Sequence, residues 1–183
     1  MNIPAKDEGA EKARVFFALW PAPALRRQLH ALAVRCQEQY GGRAMRAETL
    51  HLTLLFLGEV SRDNIRKLQQ LVDPLEIASF SFHLGRIACW RHNQILYAGP
   101  EDEVIALQVL SEGLRTLTDS AGIEFDRRGF TPHVTLLRKM TQSFESLSIQ
   151  LPEWKVEEFS LVESAALNQG TRYHTLQTWR CRR

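Results

Sequence analysis

Cysteine is scarce in this 183-residue chain. Cys36, Cys89 and Cys181 are scattered and odd in number, and no C-x-x-C occurs. A disulfide framework and a thiolate metal site are both excluded on that spacing. No apolar run approaches the roughly 18 residues that a membrane-spanning helix needs. The opening stretch, MNIPAKDEGAEKAR, lacks the apolar segment of a secretory signal. We read residues 1–12 as a flexible polar tail and place the protein in the cytoplasm. Charge of one sign is lacking too. The net charge is +2, too small for strong long-range attraction to nucleic acid. Lysine is rare, with 5 against 18 arginines. Arginine's planar fork suits phosphate, although a GC-rich coding bias enriches arginine equally well. Glu-x-x-His and His-Glu-x-x-His are absent, so no metal and no cofactor are expected.

What the chain does contain is one short phrase written twice. Thr49-Leu50-His51-Leu52-Thr53-Leu54-Leu55 recurs as Thr131-Pro132-His133-Val134-Thr135-Leu136-Leu137. With 6 histidines and 10 threonines, chance supplies about 0.3 of an H-x-T match. Two copies within a shared T-x-H-x-T-L-L are far less accidental. Residues i and i+2 of a strand face the same way, so each copy aims one imidazole and one hydroxyl in one direction. Two such pairs around one small space are equipment for in-line attack on a phosphate. One His takes a proton, the other gives one, and two hydroxyls hold oxygens.

Arg14–Trp20 reads as a buried strand, and Pro21 and Pro23 open a helix over 23–38. Leu25, Leu29, Leu32 and Cys36 form its apolar face, and Gly41-Gly42 breaks it. The first motif strand spans 50–57 and is closed by Gly58. Ser61 is the expected N-cap of a helix to about 72. Strands follow at 79–90 and 94–99, a helix at 101–119, and the second motif strand at 133–138. Residues 141–154 read as loop. The last strands, 156–166 and 171–180, are joined by Asn168-Gln169-Gly170. This order predicts an α+β fold with largely antiparallel sheets. A helix precedes each motif strand, which argues for two similar lobes. No linker rich in Pro, Gly or Ser separates them, so residues 13–183 are expected to form a single bilobal domain.

On these residues the chain resembles the 2H phosphoesterase superfamily, defined by two H-x-T/S motifs. Within it, the resemblance is to the RNA 2′,3′-cyclic phosphodiesterases, also called 2′–5′ RNA ligases. It covers about residues 14–180. It rests on the R-x-F-F-A start (Arg14 to Ala18), H-L-T-L-x-F-L-G-E (His51 to Glu59), P-H-x-T-L-L-R (Pro132 to Arg138) and T-R-Y (Thr171 to Tyr173). The resemblance implies a bilobal pseudo-two-fold fold of two sheets flanked by helices, with the active-site cleft between lobes. It implies hydrolysis of an RNA 2′,3′-cyclic phosphate to a 2′-phosphate and, with an RNA 5′-hydroxyl in place of water, a reversible 2′–5′ RNA ligation. It makes His133 the proton acceptor and His51 the donor to the departing 3′ oxygen. Thr53 and Thr135 then bind phosphate oxygens, and Arg138 contacts the phosphate. Strand alternation places Arg138 on the face opposite Thr135 unless the strand twists or ends there. Phe56 is either a platform for the terminal base or a core aromatic.

Other 2H phosphodiesterases, acting on 2′–5′ oligonucleotides or small cyclic nucleotides, share these motifs. Zinc held by His51 and His133 would want further acidic or thiolate ligands, which the motifs do not bring. A noncatalytic RNA-binding module would not need matched H-x-T pairs. His30, His83, His92 and His174 have no partner at useful spacing and read as structural or surface residues. The expected partner is RNA or a small nucleotide, met by a monomer with no membrane.

Overall fold

The computed structural model describes residues 11–167 and 170–182. Residues 1–10 of the expected tail, and Asn168 and Gln169 of the expected hairpin turn, lie outside the described residues. Glu11 and Lys12 were assigned to the tail by sequence, but Lys12 already stands in a strand opposite Ser61. Glu11 meets Arg62 at 3.2 Å.

The elements in order are β1 (Lys12–Leu19), α1 (Pro23–Tyr40), β2 (Arg43–Ala44), β3 (Leu52–Ser61), α2 (Arg62–Val72), β4 (Phe80–Phe82), β5 (Arg86–Trp90) and β6 (Ile95–Gly99). There follow α3 (Ile105–Ser120), β7 (Val134–Arg138), β8 (Leu147–Ser148), β9 (Trp154–Val156), β10 (Glu158–Leu167) and β11 (Gly170–Arg180). Among the described residues no helix is long and apolar enough to cross a membrane.

The sequence signals account for the helices. α1 starts on Pro23, whose missing N–H costs nothing in a first turn, and stops at Gly41 with φ 69°. Its buried face is Leu25, Leu29, Ala33 and Cys36; Ala33 takes the place expected for Leu32, which is only partly buried. The Ser61 hydroxyl accepts from the Asn64 N–H and caps α2, as expected. α3 begins at Ile105, four residues later than expected, because Val104 is extended (φ −103°, ψ 93°) and serves as the N-cap.

The α+β antiparallel class is the one found. The main sheet runs β11-β10-β1-β3-β7-β6-β5-β8, with β2 also on β7. It divides into two halves, β11-β10-β1-β3 and β7-β6-β5-β8. Between β3 and β7 only Leu52 and Val134 pair. The two sheets expected from sequence are thus joined into one through a single residue pair. Leu52 and Val134 each follow their motif histidine. Equivalent residues facing one another in an antiparallel pair are what a two-fold axis requires, so the pseudo-dyad passes between them.

The helices are exchanged across this axis. α1, which leads into the first motif, packs on β7 and β2, whereas α3, which leads into the second, packs on β3 beside α2. One continuous core results, from Phe17 and Leu29 through Leu52 and Val134 to Leu110 and Phe159, all nearly inaccessible. Each such side chain stabilises by about 1.5–3 kcal/mol relative to exposure.

The segment 79–90, expected as one strand, is two. Phe80–Phe82 pairs with Trp154–Val156 in a separate ribbon, where Phe82 stacks on Trp154 at 5.4 Å. Arg86–Trp90 joins the main sheet. The break falls at Gly85, where a Cβ would lie 3.0 Å from the Glu101 side chain. The first motif strand does not end at Gly58. It passes through it with φ 74° and continues to Ser61.

Candidate active site

Each motif strand carries the same irregularity. Along β1, Phe17 faces Leu55 but Ala18 faces Thr53, which leaves Leu54 as an extra residue in β3. Along β6, Leu96 faces Leu137 but Tyr97 faces Thr135, which leaves Leu136 extra in β7. These are matching β-bulges, two residues against one. The bulge slips the alternation by one position. Both leucines of each T-L-L are therefore buried, Leu54 and Leu55 at 2% and 3% exposure, Leu136 and Leu137 at 0%. The residue three after each threonine returns to the threonine's face. In the first copy that residue is Phe56, and in the second it is Arg138. Unbroken alternation placed Arg138 on the far face; the bulge brings it to the cavity wall.

The bridge at Leu52 and Val134 sets the motif side chains in a small diagonal array. Continuing its register puts His51 across from Thr135 and Thr53 across from His133. Each imidazole is anchored in the same way. His51 Nδ1 lies 2.7 Å from the Thr49 carbonyl, and His133 Nδ1 lies 2.7 Å from the Thr131 carbonyl. A carbonyl only accepts, so each Nδ1 carries its proton and each neutral ring turns a bare Nε2 inward. The Thr53 hydroxyl, 3.1 Å away, donates to His51 Nε2. Among the described residues no protein donor occupies His133 Nε2.

The rings around the histidines break the symmetry. His51 is boxed by Phe16 at 4.9 Å, Tyr173 at 5.1 Å and Trp20 at 5.5 Å. His133 has Trp90 at 4.5 Å and Tyr97 at 5.7 Å. Burial disfavours the charged imidazolium and pushes the His51 pKa down to about 4. The Thr49 carbonyl works against that shift, while His133 and Arg138 add to it through charge. His133 is lowered too, first by burial and then by Arg138, against the pull of the Thr131 carbonyl. Both shifts favour the neutral ring at pH 7.

The four motif side chains open into a cavity of about 1160 Å³ whose wall also holds Arg138 and Phe56. The structure thus brings together all six residues singled out from sequence. Phe56 is partly buried on the cavity wall, packed beside Phe16, Ala18 and Val162, with the Arg14 guanidinium 4.8 Å from its ring centroid. The remaining histidines stand outside the cavity. Lys12, Arg14, Arg43, Arg46 and Arg128 also line it, against Glu59 and Glu163. Glu163 is already held by Arg62 at 2.8 Å. Sequence reasoning missed this concentration of cations, because the residues are far apart in the chain and the net charge hides them. Tyr173 was missed as well. Its only signal was the T-R-Y segment, to which no role had been given. Among the described residues no cluster of His, Cys, Asp or Glu has metal-holding geometry.

Two anchored H-x-T pairs about a dyad, in a cationic cavity, define a two-histidine phosphoesterase. The model for the LigT-like phosphoesterases matches residues 19–97. The RNA 2′,3′-cyclic phosphodiesterase of Escherichia coli K12 is 31% identical over 93% of this chain and 97% of its own. The Bacillus subtilis enzyme of the same name is 30% identical over 69% of this chain and 73% of its own. The crystal structure of E. coli LigT in apo form superposes with a TM-score of 0.85 at 29% identity, over 95% of this chain and all of that one. Its complex with 3′-AMP gives 0.84 at 30% identity, over 93% of this chain and 99% of that one. The chain belongs to the RNA 2′,3′-cyclic phosphodiesterase family of LigT-like phosphoesterases.

Proposed function

We propose that this chain hydrolyses RNA 2′,3′-cyclic phosphate ends to 2′-phosphates, with His133 as general base and His51 as general acid. The observation that carries the reading is the pair of identically anchored imidazoles, each Nδ1 2.7 Å from the carbonyl two residues back, on either side of one dyad. In-line displacement needs a proton acceptor on one side of phosphorus and a donor on the other. The dyad supplies both from one duplicated unit. The names of the relatives and the bound 3′-AMP of the E. coli protein agree with the substrate class.

The roles follow from where the copies differ. His133 Nε2 has no protein donor and is free to take a proton from water. The hydroxide adds to phosphorus, the bond to the 3′ oxygen breaks, and His51 Nε2–H protonates that oxygen. The product is a 2′-phosphate with a 3′-hydroxyl, and the proton balance of the two rings is reset through solvent. With an RNA 5′-hydroxyl in place of water, the same course breaks the bond to the 3′ oxygen and leaves a 2′–5′ linkage. Thr53 and Thr135 donate to the non-bridging oxygens, and Arg138 offsets their charge. At the equivalent position Phe56 offers a face to the terminal base. This one difference, arginine against phenylalanine, gives the pseudo-symmetric cavity a direction.

Because burial disfavours the charged form of both rings, the acid must be charged by the substrate. A phosphodiester anion beside His51 reverses part of the burial penalty, which favours a proton there when substrate is bound. The test is product analysis on a short RNA ending in a 2′,3′-cyclic phosphate, with excess EDTA present. The expected product is the 2′-phosphate, at an unchanged rate with EDTA. His51→Ala and His133→Ala should each lower kcat by roughly 10²–10⁴-fold. Near-normal activity in either folded variant removes that histidine from the mechanism.

A further inference from the structure

Arginines surround the cavity, and most already have work within the protein. Arg46 donates to the Thr171 carbonyl at 2.6 Å and meets Glu48 at 3.3 Å. Arg128 is paired with Asp126. Arg14 lies over the Phe56 ring. Arg43 and Arg138 differ: among the described residues neither has an acidic or aromatic partner. They are also directly opposite one another, because β2 pairs with β7 in the register Arg43 to Arg138 and Ala44 to Leu137. Residues directly opposite in an antiparallel pair project to the same face, and like charges placed so are destabilising. The chain nevertheless enforces the pairing. Gly42, with φ 85°, lets β2 approach so closely that a Cβ there would lie 2.8 Å from the Arg138 carbonyl oxygen and 2.9 Å from the Lys139 carbonyl oxygen and the Met140 nitrogen. A glycine is needed to hold two unneutralised guanidiniums side by side. That arrangement makes sense when anions sit against it.

Position along β7 sets both cations beyond the motif. The dyad pair is Leu52 and Val134, and Thr135 is the next residue of β7. Arg43 faces β7 three residues beyond Thr135, about 10 Å of strand. β6 occupies one edge of β7, so β2 joins the same edge as β3, and Arg43 stands on the side of β7 that faces the first motif. Arg138 can reach back from this point to the reacting phosphate. Arg43, on the neighbouring strand, lines the same cavity as the motif side chains and is left for a second anion.

We propose that Arg43 binds a second phosphate, the one on the 5′ carbon of the terminal nucleoside, so that the site recognises a phosphorylated nucleotide end and not a bare cyclic nucleoside phosphate. The proposal rests on the phosphodiesterase reading above. The same phosphate chemistry occurs in an internucleotide diester and in a 5′-monophosphate, and either would satisfy Arg43.

Three substrates separate the cases: adenosine 2′,3′-cyclic phosphate, its 5′-phosphorylated form, and the dinucleotide ApA ending in the cyclic phosphate. Wild type should give kcat/KM roughly 10–100-fold higher on the two that carry the extra phosphate, the size of a charge-assisted hydrogen bond. R43A should bring that ratio close to one, chiefly through KM, and R43K should recover part of it. With the dinucleotide, R43A should flatten the slope of log kcat/KM against log salt by about 0.7, the loss of one phosphate contact. A wild-type ratio near one overturns the proposal, and so does an equal R43A loss on all three substrates. If only the dinucleotide gains, the second nucleoside is being read and not its phosphate, and the assignment to Arg43 fails. If wild type opens none of the three, nor a longer RNA, the phosphodiesterase reading falls and this proposal falls with it.

Discussion

His51→Asn is the most direct probe of the aromatic box. Asparagine can keep a donor near the Thr49 carbonyl, but it cannot be protonated. In the folded protein the His51 pKa is held at about 4, with burial as the main cause. In the unfolded chain it returns to about 6.5. The depressed value means that the unfolded state binds the proton more readily between these limits. Stability from this ring is therefore fully present above pH 6.5 and is lost as pH falls toward 4. The whole difference is about 3 kcal/mol, and about 2 kcal/mol of it is gone by pH 5. Urea unfolding at pH 7.5 and pH 5 would measure it. Wild type should lose about 2 kcal/mol more than H51N over that interval, since other groups titrate alike in both. Saturating inorganic phosphate, a stand-in for the reacting group, should shrink the gap by favouring the protonated ring. Parallel losses in the two proteins would refute the claim that Phe16, Trp20 and Tyr173 keep His51 neutral.

The same shifts have a kinetic counterpart. kcat/KM reports the free enzyme, whose two imidazoles both lie below 6.5, so its bell-shaped profile should be centred on the acid side of neutrality. kcat reports the complex, and its profile should move to higher pH; coincident profiles would contradict substrate-induced protonation. Thr53→Val and Thr135→Val each delete a hydroxyl at nearly constant shape and should lower kcat by roughly 10²–10³-fold on the cyclic substrate. Full kcat in either valine variant would reduce that threonine to packing.

The motif pairs were legible because i and i+2 on a strand share a face whatever the fold around them. The helices were legible for a similar reason: Pro23, Gly41 and Ser61 act through local backbone chemistry. The site beyond the motifs was hidden by its irregularity. Leu54 and Leu136 look like ordinary strand leucines, yet each is the extra residue of a bulge, and only the partner strand reveals that. The apparent misplacement of Arg138 was the visible symptom of the bulge. β2 has only two residues and no periodicity to detect, so the Arg43–Arg138 pair could not be read from sequence. The split of 79–90 follows from its two halves pairing with different strands, Phe80–Phe82 with β9 and Arg86–Trp90 with β6, which only the tertiary fold reveals. The exchange of α1 and α3 across the dyad leaves no local trace either, because each helix has the same amphipathic pattern whichever strand it covers.

The box around His51 also bears on the order in which the molecule is built. Trp90 and Tyr97, beside His133, precede it in the chain by a few dozen residues and belong to the hairpin next to its strand. Phe16 and Trp20 precede His51 similarly, but Tyr173 belongs to β11, the last strand, which joins the sheet by pairing with β10 beside β1. During synthesis, then, the second catalytic half can close on itself while the first still waits for the last strands. Until β11 docks, the ring at position 51 lacks the Tyr173 wall of its box. The histidine that leaves the ribosome first is the one whose chemistry is set last.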